Sequence, residues 1–88
     1  MKLILAILRD EDMEPVSHEL VVAGFRVTRI ASTGGFLRRG RSTLMIGVED
    51  DKVDEAIEVL KRCCTMPPES DASRAILFVL NVARYDHI

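Results

Sequence analysis

Eighty-eight residues suffice for one domain, spanning 1–88, and exclude a TIM barrel, a full dinucleotide-binding fold and a kinase. Hydrophobic residues make up 48% and charged residues 30%, with a formal net charge of −2, the balance of a soluble globular chain rather than a disordered or fibrous one. No apolar run approaches the roughly 18 residues of a membrane span. The opening run over 3–8 ends in Arg9-Asp10-Glu11-Asp12 without a small-residue cleavage site. Neither an anchor nor a secretory signal is expected, and the cytoplasm is the expected compartment.

The apolar run over 2–8, bounded by charge, predicts a buried strand. Asp10 to Asp12 then offer helix N-caps, Pro15 suits a first helical turn, and Gly24 closes the segment. Met13, Val16, Leu20 and Ala23 recur at helical spacing between them. A second strand is predicted over 25–32 through Val27, Thr28 and Ile30, broken by Thr33-Gly34-Gly35. A third follows over 42–48.

Glu49-Asp50-Asp51 place acids where a helix begins, and Val53, Ala56, Ile57, Leu60 and Cys64 form a 3.6-period face over 52–64. Met66-Pro67-Pro68 stops that helix, and a fourth buried strand is expected over 74–84 through Ile76–Leu80. The order strand, helix, strand, strand, helix, strand predicts an α+β ferredoxin-like βαββαβ fold. Both crossovers would be right-handed, with both helices on one face of a four-stranded antiparallel sheet. Helices on one face should leave the other solvated and the strands alternating, yet the first and last strands are apolar on both sides. A bare second face would be too large an apolar patch for a soluble monomer, so a homo-oligomer is expected.

Chemistry-bearing residues are few. Cys63 and Cys64 are adjacent, and the histidines are His18 and His87, which supplies no metal-ligand spacing; no metal or other cofactor is expected. Aromatic residues are 5%, so no stacking platform for single-stranded nucleic acid is visible. No nucleophile has an evident base partner, and an enzyme is not expected. Arginine is unevenly placed. Between Glu19 and Glu49 lie Arg26, Arg29, Arg38, Arg39 and Arg41 without one carboxylate, beside the Gly34-Gly35 pair and Gly40. Convergent glycine N–H groups and arginine forks suit a phosphate-bearing ligand. A nucleic-acid surface and a plain solvated hairpin are the alternatives that composition leaves open.

The block Gly24-Phe25-Arg26-Val27-Thr28-Arg29-Ile30-Ala31-Ser32-Thr33-Gly34-Gly35-Phe36-Leu37-Arg38-Arg39-Gly40, followed by Met45-Ile46-Gly47-Val48-Glu49-Asp50-Asp51-Lys52-Val53, resembles the PII-like cyclic-di-AMP receptors. The opening Met1–Asp12 and the run Ile76–Leu80 are similar to that family too. The resemblance implies a non-enzymatic homotrimer of ferredoxin-like subunits, holding cyclic-di-AMP in clefts between them and signalling to an unidentified protein partner. It implies ligand contacts from Arg26 and Thr28, from Gly35, Phe36 and Leu37 in a hairpin, and from Gly47 on the third strand. Arg41 joins this set at a position where the family commonly has Asn, and Gly24 stands where many members also have Asn. The connection over 65–73 is a longer loop in the family. Another small anion or nucleotide, or a nucleic-acid ligand, would be the alternative.

Overall fold

The computed structural model describes residues 1–30, 40–65 and 75–88. Its strands are β1 (Lys2–Arg9), β2 (Arg26–Ile30), β3 (Arg41–Val48) and β4 (Ala75–Asn81). Its helices are α1 (Met13–Val22) and α2 (Val53–Cys63), each entered through a 3-10 turn, Asp10–Asp12 and Asp50–Lys52 respectively. The sheet runs β2-β3-β1-β4 with every neighbouring pair antiparallel, which is the ferredoxin-like arrangement.

One face of the sheet carries the core. Ile4, Ala6 and Leu8 of β1 and Leu44, Ile46 and Val48 of β3 are buried against Met13, Val16 and Leu20 of α1 and Ala56, Val59 and Leu60 of α2. Directly opposed residues in an antiparallel pair share a face, so the register also fixes what lies on the other side. There it builds three rows across the sheet: Arg26–Gly47–Leu3–Leu80, Thr28–Met45–Leu5–Phe78 and Ile30–Thr43–Ile7–Ile76. A fourth, shorter row is Arg41–Arg9. No helix among the described residues covers these rows: Ile30, Phe78 and Leu80 are 41%, 51% and 44% exposed, whereas Thr43 and Arg41 on the same face are buried. The expected apolar second face is thus open at its β4 side and at Ile30.

Three local expectations change. The fourth strand is not buried: β4 is a sheet edge, and the helices cover the β1–β3 centre. Asp10–Asp12 do not cap α1. The residue before the helix, Asp12, sits in αR geometry with no capping bond, because the 3-10 turn removes the extended backbone a cap requires. Its carboxylate, fully buried, instead accepts hydrogen bonds from Thr65 N–H (3.2 Å) and Thr65 Oγ1 (2.8 Å) beyond α2. Likewise no acid caps α2, and Asp50 pairs with the Met1 ammonium at 2.9 Å. Gly24 closes α1 as expected, with φ +95° and its N–H on the Val21 carbonyl.

Candidate functional site

A groove of about 790 Å³ opens at the β1 N-terminal end of the sheet. Its volume is in the range of small-molecule sites. Three of the residues expected to touch ligand, Arg26, Thr28 and Gly47, line it together. The register explains why. Arg26 and Thr28 are two apart on β2, so both face the uncovered side, and Gly47 is the direct cross-strand partner of Arg26. A glycine between Arg26 and Leu3 leaves a notch in the first row. A Cβ added at Gly47 would meet the Met1 Cε at 3.4 Å, so the notch is bounded by a flexible thioether rather than by backbone.

The groove carries charges of both signs. The Met1 ammonium holds Asp50 and Lys52 Nζ lies 3.5 Å from Glu55 Oε2, while the Lys2 ammonium donates to the neutral Asn81 side-chain carbonyl and Glu49, also in the lining, has no ion pair among the described residues. The hydrogen bond from the Met1 ammonium, reinforced by its charge, holds the Asp50 carboxyl below the usual aspartate range. Of the cations in the lining, Arg26 is different: its guanidinium has no ion pair or side-chain hydrogen bond among the described residues. One uncommitted cation, the Thr28 hydroxyl, an apolar floor that includes Leu3 and Met45, and the aromatic rings of Phe25 and Tyr85 converge here. That combination suits an anionic ligand with a flat apolar portion.

The remaining expected residues divide. Gly35, Phe36 and Leu37 lie outside the described residues. Arg41 shares the uncovered face but begins β3, six positions before Gly47, which is about 20 Å along a strand. It does not line the groove and is 6% exposed. The arginine-rich unit is also split by strand alternation. Arg29 lies on the opposite side of β2 from Arg26, with its NH1 3.9 Å from Glu14 Oε1. Arg26 and Arg29 therefore form no continuous basic stripe of the kind that tracks a nucleic-acid backbone.

Sequence reasoning missed the contributions of the chain ends. Met1, Lys2, Lys52 and Tyr85 all line the groove. The Val82 N–H donates to the Met1 carbonyl at 3.2 Å, which prolongs the β1–β4 pairing past Asn81 and leads the chain toward the groove. His18 is exposed on α1, and its neighbour Glu19 faces Arg62 NH2 at 3.9 Å. No helix among the described residues is long and apolar enough to cross a membrane.

The crystal structure of a functionally unknown protein from Pediococcus pentosaceus ATCC 25745 is similar to this chain, with 32% sequence identity and a TM-score of 0.80. The match covers 99% of this chain and 96% of that one. The family described as cyclic-di-AMP receptor matches residues 1–74, across β1 to α2 and every strand residue that lines the groove on β2 and β3. On that match, the chain belongs to the cyclic-di-AMP receptor family, whose description is that of a receptor for a nucleotide second messenger.

Proposed function

We propose that this protein is a non-enzymatic signal-transduction receptor whose ligand is cyclic-di-AMP, bound in clefts between the subunits of a cytoplasmic homotrimer, each subunit one domain over 1–88. The observation that carries the reading is the uncommitted Arg26 guanidinium beside the Gly47 notch and the Thr28 hydroxyl. Arginine binds a phosphate through two parallel N–H donors, glycine admits close approach, and the apolar floor receives a base.

Two features support a site shared between copies. The uncovered face is apolar from Leu3 to Leu80 in its first row and from Met45 to Phe78 in its second, with Phe78 half exposed. A second copy of the chain would remove that surface from water. Arg41 lies about 20 Å along β3 from the groove. A ligand in the groove meets Gly35, Phe36, Leu37 and Arg41 in this reading because a neighbouring subunit supplies them. Binding then acts by population shift, selecting one arrangement of the assembly for an unidentified protein partner.

Calorimetric titration with cyclic-di-AMP, cyclic-di-GMP, ATP and a short RNA tests the ligand, and light scattering tests the assembly. Cyclic-di-AMP should bind one per subunit and more tightly than the other three, to a particle three times the mass of one chain. Preferential binding of RNA, or a monomer at micromolar concentration, would refute the reading.

A further inference from the structure

The 3-10 turn Asp10–Asp12 makes contacts that neither the groove nor helix capping accounts for. On one side, the Asp10 N–H donates to the Gly40 carbonyl at 2.9 Å, and the Asp10 carboxylate accepts from the Ser42 hydroxyl at 2.7 Å. On the other side, the buried Asp12 carboxylate accepts both hydrogen bonds from Thr65. The Arg9 guanidinium adds a bond from NH1 to Thr65 Oγ1 at 3.1 Å and pairs through Nε with Glu11 at 2.9 Å. Inside the turn, the Met13 N–H closes onto the Asp10 carbonyl. The two anchoring residues are therefore about 4 Å apart along the axis of a tight helical turn, with their side chains on different sides of it.

A buried carboxylate is strongly disfavoured unless hydrogen bonds satisfy it. Among the described residues, Thr65 supplies two hydrogen bonds to the Asp12 carboxylate that meet this condition. Breaking that contact would open the Thr65 N–H to water and leave the buried carboxylate unsatisfied. The entry of β3 at Gly40–Ser42 and the end of α2 at Thr65 are thus tied to one short rigid element from opposite sides.

We propose that Asp10 and Asp12 are positioning residues that couple the entry of β3 to the end of α2, so that nucleotide occupancy is communicated to Thr65. The part concerning occupancy rests on the function proposed above, since Arg41, one of its proposed ligand residues, immediately precedes Ser42. The coupling between Ser42 and Thr65 rests on the hydrogen bonds alone. Linkage requires it to be reciprocal.

Amide hydrogen exchange on the full chain tests both parts, with the Ile46 amide in the sheet centre as the internal reference. In ligand-free protein, Ser42→Ala should speed Thr65 exchange about fivefold or more while Ile46 is unchanged, a factor at the lower end of ordinary coupling. Reciprocally, Thr65→Val should speed exchange of the Asp10 amide. Saturating cyclic-di-AMP should slow Thr65 exchange in the wild-type chain and leave it unaltered in Ser42→Ala. Thr65 exchange equal in Ser42→Ala and wild type, or Thr65 and Ile46 accelerating together, would overturn the coupling. A wild-type Thr65 amide indifferent to bound cyclic-di-AMP would overturn the transmission of occupancy. If titration shows that cyclic-di-AMP does not bind, the proposed ligand fails, and the ligand-free comparison still decides the coupling.

Discussion

Replacing Arg26 by alanine separates ligand recognition from folding. The side chain lies on an edge strand, is exposed, has a glycine as its cross-strand neighbour, and makes no ion pair among the described residues. Its removal should change stability by no more than about 0.5 kcal/mol, the usual range for such surface positions. A hydrogen bond to a charged group contributes about 1.5–3 kcal/mol, so the affinity for cyclic-di-AMP should fall roughly tenfold to 150-fold. Arg29→Ala is the matched control. It removes the same residue type three positions along the same strand but from the opposite face, where the guanidinium lies near Glu14. Its affinity should stay within about twofold of wild type, a difference below about 0.5 kcal/mol. Arg26→Lys should fall between, because it keeps the charge and loses the planar fork. Calorimetric titration gives the affinities, urea denaturation the stabilities, and light scattering the assembly. Unchanged affinity in Arg26→Ala, or equal losses in Arg26→Ala and Arg29→Ala, would refute the assignment of the groove.

Gly47→Ala should fold normally, since among the described residues its new methyl meets only the end of Met1 at an ordinary 3.4 Å. The same methyl fills the notch and should weaken nucleotide binding by about 1–3 kcal/mol, an overpacking cost read by titration. Phe78→Ser, at a half-exposed position on the uncovered face, should lower the mass seen by light scattering while the far-ultraviolet circular dichroism of the chain persists. Leu44→Ala removes a fully buried side chain at the sheet centre and should cost about 2–5 kcal/mol in urea denaturation. For Asp50, the folded carboxyl titrates below its unfolded value because the Met1 ammonium favours the charged form. Its contribution is therefore complete above about pH 4 and is lost as pH falls through the lower folded value. A carboxyl midpoint by nuclear magnetic resonance that is not depressed, or an acid limb unaltered in Asp50→Asn, would contradict that pairing.

The fold was readable because its elements differ in period. β1 and β3 are short apolar runs bounded by charge or glycine, whereas α2 repeats its apolar residues at 3.6 and buries Ala56, Val59 and Leu60. Alternation along β2 and one cross-strand register place Arg26, Thr28 and Gly47 in one groove, so three of the seven expected ligand residues follow from strand geometry. The arginine cluster was less informative, because linear proximity ignores which face a residue occupies; Arg26 and Arg29 end on opposite sides. Asp12 defeats reading from the sequence for a different reason. An acid before a helix has the same signature whether it caps its own helix or reaches Thr65, and only the tertiary approach of the α2 terminus distinguishes the two. Tyr85 reaches the groove through the continued pairing of Val82 with Met1, a long-range event without a local signal.

The three rows on the uncovered face turn substitution data into a two-dimensional map. Moving across a row from β2 to β4 passes from Arg26 or Thr28, through Gly47 or Met45, to Leu80 or Phe78. Loss of ligand with the assembly intact should be confined to the β2 column, and loss of the assembly in unliganded protein to the β4 column. The two central columns, on β3 and β1, touch both neighbours and should show mixed defects. A random library scored separately for nucleotide binding and for particle mass would then resolve into stripes parallel to the strands. The ligand stripe on β2 and the assembly stripe on β4 would stand three strand spacings apart, with the mixed stripes of β3 and β1 between them.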